Sequence, residues 1–298
     1  MRNALSVDVE DWFHPEAVRD HVAREDWDRL ETRAGRNVDT ILRLLDRART
    51  HATFFVLGWV ADREPALVPR LAAAGHEIAS HGWAHRMITR QDPAEFAADL
   101  RRSLAVLRAQ SGQPVRGYRA PSFSIVRDTL WALDVLLEHG IEYDSSIFPV
   151  HHDRYGIPGA SRAPHPVRTA GTRTLWELPP VTVRIAGRTL PAAGGGYLRL
   201  LPYAWSAFAL RRMASEGLPA VVYTHPWEYD VEQPRLPLSR SLALRHYGRI
   251  PRTEDKLARL LRDFTFGTCA EVLAEVRDGA SRVAPPEGMT APVLQEVP

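Results

Sequence analysis

Two histidines four residues apart, His81 and His85, are the first chemical signal in the chain. On a helical turn that spacing makes side chains neighbours. Two imidazoles on one face are half of a zinc site, which a carboxylate from elsewhere would complete while leaving a position open for water. Among 12 histidines some pair at this spacing is nearly expected, so its weight comes from what else the chain carries. Asp8, Glu10 and Asp11 end the short run Leu5-Ser6-Val7. They either cap a helix or face solvent, or they are buried, and a buried carboxylate needs a partner or a metal. If the strand continues, alternation puts Asp8 and Glu10 on one face and Asp11 on the other. Arg119, Asp144 and His225 add a fixed cation, a further acid and a titratable ring.

The elements that must position these residues alternate. Ala4–Val9, Ala52–Leu57, His76–Ala79, Gly117–Ala120, Ile141–Asp144, Leu175–Leu178 and Ala220–Thr224 have strand character. Apolar residues at helical spacing mark 37–49, 65–74, 93–110, 128–139 and 203–216, with Asp128 as a candidate N-cap and Gly140 as a stop. Further helices are expected at 256–264 and 268–277, the latter opened by a capping box between Thr268 and Glu271. Strand–helix alternation implies a parallel sheet, and about seven such units in one domain point to an α/β barrel more than to an open sheet. Asp8, His81, Arg119, Asp144 and His225 each fall at or just past the C-terminal end of a strand, the rim where barrel enzymes gather their catalytic groups. Residues 1–278 are expected to form the catalytic domain and 279–298 a flexible tail.

Bulk composition narrows the alternatives. The 298 residues are 45% hydrophobic and 25% charged with a net charge of +2, ordinary for a globular protein. Scattered arginines without long basic blocks argue against nucleic acid as a partner. No stretch approaches the roughly 20 apolar residues of a membrane span. The single cysteine, Cys269, admits no internal disulfide and sits in a helix turn as a structural residue. No signal segment is evident before Asp8, so a cytoplasmic location is expected. Gly194–Gly196 is not followed by the Lys-Ser/Thr of a phosphate loop.

Four motifs in order carry a resemblance. Asp8-Val9-Glu10, Ser80-His81-Gly82-Trp83-Ala84-His85, Gly117-Tyr118-Arg119-Ala120-Pro121 and Tyr223-Thr224-His225-Pro226 resemble the signature segments of the polysaccharide deacetylase family, which includes chitin, chitooligosaccharide and peptidoglycan deacetylases. The resemblance spans about Leu5 to Glu228. The acidic motif followed by Trp12-Phe13-His14, the Gly194-Gly195-Gly196-Tyr197 stretch and His225-Pro226-Trp227-Glu228 look most like the branch found beside exopolysaccharide and exosortase gene clusters.

The resemblance implies a distorted (β/α) barrel with one divalent metal, usually Zn2+. It implies Asp8 as general base, Glu10, His81 and His85 as metal ligands, Arg119 as the residue that orients Asp8, and His225 as general acid. It departs from many members, which place two acids side by side; a rival register would use Glu10 and Asp11. Asp11, Trp12, Trp83, Pro121, Asp144, Tyr197 and Trp227 are expected to line the substrate.

The implied reaction is release of acetate from an N-acetylhexosamine unit of a polysaccharide or its precursor, during exopolysaccharide assembly. An amide is a poor electrophile, so a metal must polarise it and acidify water, a carboxylate must take a proton and an imidazolium must give one. Rival readings are a formyl or ureide hydrolase on the same scaffold, or a catalytically silent carbohydrate-binding or assembly protein. The expected partner is an N-acetylated glycan, with a homo-oligomer left open.

Overall fold

The computed structural model describes residues 1–152 and 154–282. Among these described residues eleven strands run in chain order: β1 Asn3–Val9, β2 Thr53–Val56, β3 Glu77–Ser80, β4 Gly117–Tyr118, β5 Tyr143–Asp144, β6 His165–Ala170, β7 Arg173–Glu177, β8 Thr182–Ile185, β9 Arg188–Pro191, β10 Val221–Thr224 and β11 Phe266–Gly267. Seven of them, in the order β10-β1-β2-β3-β4-β5-β7, pair side by side in parallel. Just past β7 the sheet meets its other edge: Pro180 bridges Val221, and the Val181 N–H donates to the Val221 carbonyl at 2.9 Å. One bridge closes the ring, so the barrel is distorted. β6 adds an antiparallel edge to β7, and β11 pairs with the start of β1.

Strand alternation sorts the side chains. Leu5, Val7, Val9, Phe54 and Val56 join the large outer core under the helices. Ala4, Phe55, Ala79 and Tyr143 join an inner cluster with Cys269, Val272 and Leu273. The last helix therefore plugs the N-terminal end of the barrel. Its start is fixed by the expected reciprocal cap, Glu271 N–H to Thr268 Oγ1 at 3.1 Å and Thr268 N–H to Glu271 Oε2 at 2.8 Å. That helix runs Cys269–Arg282, so four residues assigned to the tail are helical; residues 283–298 of the expected tail lie outside the described residues. No described helix is long and apolar enough to cross a membrane.

Three local expectations change. His81 and His85 sit on no helix. Their loop is shaped by Gly82 (φ 76°) and by His85 itself (φ 50°), and Asp99 Oδ2 accepts the Trp83 N–H at 2.7 Å. Asp128 lies within a 3-10 turn rather than capping a helix; there the Thr129 hydroxyl accepts the Val126 N–H. The β8–β9 hairpin was unforeseen: its turn, Ala186-Gly187, has positive φ at both residues, a conformation usually announced by Asn-Gly.

Asp144 is a further correction, since it belongs to the barrel wall rather than to the substrate cavity. It pairs in register with Glu177, and both side chains are fully buried. Ser146 Oγ donates to Asp144 Oδ1 at 2.5 Å, and Ile147 N–H donates to Glu177 Oε1 at 3.0 Å. Asp144 Oδ2 and Glu177 Oε2 meet no donor, so a proton held by one carboxyl is what links the pair. Burial raises both carboxyls, and the neighbouring Asp144 raises Glu177 further, well above its ordinary 4.5.

A native state that keeps a proton which the unfolded chain gives up near pH 4.5 loses stability as pH rises through the native value. Denaturant titrations should therefore show stability falling as pH rises from about 4.5 towards the native value and levelling off beyond it. Glu177→Gln, which carries a permanent donor, should flatten the fall, by something like 1–3 kcal/mol at alkaline pH. An identical pH profile in both proteins would contradict the shared proton.

Candidate active site

Arg119 follows β4 and is wholly buried inside the barrel. Its Nη1 donates to Asp8 Oδ1 at 2.6 Å and to Ser6 Oγ at 2.8 Å. Its Nε donates to the Ser145 carbonyl at 3.1 Å and its Nη2 to Ser145 Oγ at 2.8 Å. The guanidinium lies 4.2 Å over the Phe55 ring. A buried cation needs this density of acceptors, and the arrangement leaves Asp8 with one oxygen, Oδ2, unclaimed by Arg119.

Beyond Val9 the backbone turns, with the Glu10 N–H donating to the Asp8 carbonyl at 3.0 Å. Glu10 still enters the site. Glu10, His81 and His85 offer one ligand atom each, all within 4.8 Å of one another, and all three are buried. The His81 Nδ1 lies 2.8 Å from the Arg119 carbonyl, which can only accept, so the proton is on Nδ1 and Nε2 presents its lone pair. Burial holds His81 down to about 4, a neutral ring at ordinary pH. Glu10 Oε2 lies 2.9 Å from His85 Nε2 without making a hydrogen bond. Burial works to raise the Glu10 carboxyl, but His85, His225 and His81 pull it well below the usual range. Two imidazoles and a charged, hydrogen-bond-poor carboxylate oxygen in a buried cluster fit a divalent cation.

His225 follows β10. Its Nε2 lies 3.9 Å from Asp8 Oδ2 and 3.6 Å from Glu10 Oε1. Its Nδ1 lies 3.0 Å from Glu228 Oε2, which also accepts the His225 N–H and the Thr224 hydroxyl, each at 3.1 Å. Arg199 Nε donates to the other oxygen of Glu228 at 3.0 Å. Burial opposes a charge on His225, yet the carboxylates of Glu228, Glu10 and Asp8 outweigh it and lift the ring to about 9. Glu228 goes the other way, to about 2, because His225 and Arg199 overcome its burial. The Trp227 indole N–H donates to Glu10 Oε1 at 3.1 Å, and its ring stacks on His225 at 5.3 Å. The glycine run lets the chain pass closely: a Cβ on Gly194 would lie 2.0 Å from the Tyr223 ring, and Gly195 (φ +48°) faces His225.

These groups open into one cavity of about 220 Å³ whose apolar walls include Phe123, Tyr197, Tyr223 and Trp227. The structure thus brings together Asp8, Glu10, His81, His85, His225, Tyr197 and Trp227, with Arg119 behind Asp8. The Tyr197 hydroxyl meets that of Tyr155 at 2.9 Å across the mouth. Tyr155 sits on an irregular loop with no sequence signal. Glu228 was missed as well, although its capping-box spacing to His225 is a signal that could have found it.

Four residues expected to touch substrate do not wall this cavity. Trp12 packs edge-on to Phe13 and donates its indole N–H to the Glu31 carbonyl. Trp83 lies beneath the Arg102 guanidinium, 3.6 Å away, and against Gly58. Pro121 is buried and starts the turn that presents Ser122 and Phe123. Asp11 is the most informative case. It accepts three backbone N–H groups, from Trp12 at 2.8 Å, Arg33 at 2.6 Å and Ala34 at 3.0 Å. Burial pushes its carboxyl up to about 7 against the pull of these donors. It is a clamp between the first strand and the first helix, not a surface residue on the opposite face of a strand.

Asp11→Asn replaces one acceptor oxygen with a donor facing backbone N–H groups. It should cost about 1–3 kcal/mol in chemical denaturation while leaving metal content per folded chain unchanged. Loss of metal with unchanged stability would instead favour the register that uses Asp11 as a ligand.

Known proteins resemble this chain in two ways. Residues 27–143 match the polysaccharide deacetylase family, and residues 145–274 match a domain of unknown function, DUF3473. A chitooligosaccharide deacetylase of Bradyrhizobium sp. (strain ANU 289) is 34% identical over 97 residues, 32% of this chain and 42% of the relative. A peptidoglycan-N-acetylglucosamine deacetylase of Bacillus cereus is 28% identical over 104 residues, 34% of this chain and 38% of the relative. The chain therefore matches well under half the length of these curated relatives. Among solved structures, a Mycobacterium smegmatis protein provisionally assigned as a polysaccharide deacetylase superposes with a TM-score of 0.61 at 22% identity, covering 98% of this chain and 95% of that one. A Puue allantoinase does so with a TM-score of 0.61 at 14% identity, covering 95% and 91%. The two superpositions establish the fold, and within it residues 27–143 match the polysaccharide deacetylase family.

Proposed function

We propose that the chain hydrolyses the N-acetyl group of an N-acetylhexosamine unit in a polysaccharide or its precursor, releasing acetate and a free amine with the help of one divalent metal, Zn2+. The observation that carries this reading is the facing pair in the cavity: the free Asp8 oxygen and the His225 Nε2, 3.9 Å apart, beside the Glu10–His81–His85 cluster.

Glu10, His81 and His85 would hold the metal. A bound divalent ion supplies Lewis-acid chemistry, polarising an amide carbonyl and acidifying water. Asp8 Oδ2 takes the proton of the attacking water, because Arg119 holds Oδ1 and fixes the orientation of the free oxygen. His225 carries its proton on Nε2 while Nδ1 is tied to Glu228, so Nε2 can give that proton to the departing nitrogen. Each transfer is worth roughly 100-fold to 10,000-fold. Overall the amide C–N bond breaks, water supplies the new C–O bond, and one proton moves to each product as the pH requires. Phe123, Tyr223 and Trp227 give the acetyl methyl and sugar ring apolar surfaces. The match to the polysaccharide deacetylase family supports an N-acetyl substrate; the fold alone does not, since an allantoinase shares it.

Acetate release from N-acetylglucosamine oligomers, read together with metal content, tests the scheme. Asp8→Asn should keep its metal and lose roughly 100-fold to 10,000-fold in turnover. Glu10→Gln and His81→Ala should lose metal, with Glu10→Gln partly rescued by added zinc. Product formation only from a formyl compound or a ureide would transfer the chain to those chemistries. Binding of sugars with no hydrolysis of any of them would make it a carbohydrate-binding protein.

A further inference from the structure

The chain carries a net charge of only +2, yet residues 233–253 hold five arginines and no acid. Without those five the protein would be net negative, so its basic surplus lies in this one stretch. Arg235, Arg240, Arg245, Arg249 and Arg252 are all exposed. Nearby in the chain, Arg162, Arg199 and Arg212 each lie within 3.0 Å of a carboxylate. Among the described residues none of the five has such a partner, and the next acid, Glu254, turns to Arg47 at 3.8 Å. Arg235 covers the Tyr247 ring at 4.2 Å instead. Surfaces normally intersperse both signs of charge, and a single-sign field steers or docks a partner of the opposite sign.

The helix Arg240–Tyr247 shows what these charges surround. Its exposed face carries Arg240, Ser241, Leu244 and Arg245, and Leu244 is 67% exposed. Arg240 and Leu244, four residues apart, are neighbours on that face. The opposite face is fastened to the catalytic turn. His246 is buried and stacks on Trp227 at 4.7 Å, the same ring that stacks on His225. The Arg245 and Gly248 carbonyls accept from Arg199, which holds Glu228. The basic face is therefore joined directly to the rim on which the catalytic cavity opens.

The composition of the face indicates the partner. A lone exposed leucine is ordinary, but one set among arginines that pair with no acid matches the two layers of a lipid surface. Guanidinium groups donate to phosphate oxygens, and an apolar side chain between them enters the acyl boundary. A nucleic acid offers the phosphates but no hydrocarbon for Leu244. We propose that residues 235–252 dock the protein on an anionic phospholipid membrane, so that the cavity works beside that surface on a glycan carried by a lipid. The proposal rests on the deacetylase reading for the identity of the glycan, not for the docking.

Co-sedimentation of the full chain with vesicles, in the absence of any glycan, tests it. Vesicles of equal parts phosphatidylglycerol and phosphatidylcholine should retain the protein, vesicles of phosphatidylcholine alone should not, and added salt should release it. An arginine near such a surface is worth about fivefold in affinity. Arg240→Gln, Arg245→Gln and Arg249→Gln combined should therefore weaken retention about 100-fold, and Leu244→Gln alone should weaken it less. None of these side chains lines the catalytic cavity, so acetate release from soluble N-acetylglucosamine oligomers should not change. No retention by anionic vesicles, equal retention by neutral ones, or retention untouched by the triple variant would overturn the docking face. Binding to a short DNA duplex by a protein that ignores vesicles would assign the arginines to nucleic acid and overturn it as well. Failure of vesicle binding with acetate still released would spare the deacetylase reading. Vesicle binding lost in the triple variant, with no acetate released from any glycan by the native protein, would sink that reading and spare the docking face.

Discussion

The contact on which the site depends is the ion pair between Arg119 and Asp8 inside the barrel. A guanidinium with no solvent access is tolerable only if its donors are met and its charge is balanced, and four groups do so: Asp8 Oδ1, Ser6 Oγ, the Ser145 carbonyl and Ser145 Oγ. Because these acceptors come from β1 and from the segment after β5, one side chain ties together strands that are not neighbours in the sheet. The same pairing leaves Oδ2 as the oxygen of Asp8 that Arg119 does not hold. Ser6 also donates to the Val222 carbonyl of β10, so the strand that carries His225 is joined to the same polar column.

From that column the site is built by opposition of charges. Glu228 is held by Arg199 and holds His225; Trp227 fixes one oxygen of Glu10. These supports come from a single short turn, residues 226–229, immediately after β10. Asp230, next in the chain, forms a bidentate pair with Arg33 at 2.6 and 3.0 Å, and Arg33 offers its backbone N–H to Asp11. The first helix, the first strand and the last rim turn are thereby locked to one another through buried charges, each compensated. Rigid support of this kind is what keeps reacting groups within the small tolerances that catalysis demands.

The barrel and its rim were legible because both follow from local rules. Parallel strands buried on both faces read as short apolar runs, and a polar residue at the end of each run has few reasons to be there except the rim. What the sequence hid was long-range or backbone-conformational. Asp11 was expected to line the substrate since its partners, Arg33 and Ala34, lie more than twenty positions away. Trp12 and Trp83 are aromatic residues beside site residues, but they pack on the helix side. Asp144 stands at a strand end, yet its partner Glu177 is on the next parallel strand and turns it into a structural pair. The His81–His85 spacing suggested a helix, whereas a left-handed His85 in a loop brings the rings to 5.4 Å.

The single residue between Asp8 and Glu10 has a physical explanation. Val9 is an outer-core residue with no exposure, so β1 must keep its alternation through position 9, and the next inward side chain belongs to position 10. There the strand has already ended: the Glu10 N–H folds back onto the Asp8 carbonyl. A side chain leaving from that turn has farther to reach, and the extra methylene of glutamate supplies about 1.5 Å. With it, Glu10 Oε2 arrives 2.9 Å from His85 Nε2 while Oε1 still meets the Trp227 indole. An aspartate at this position would have to choose between the two contacts. The separation of the carboxylates and the choice of glutamate are thus one adaptation, set by where β1 stops and by the need to keep Val9 in the core.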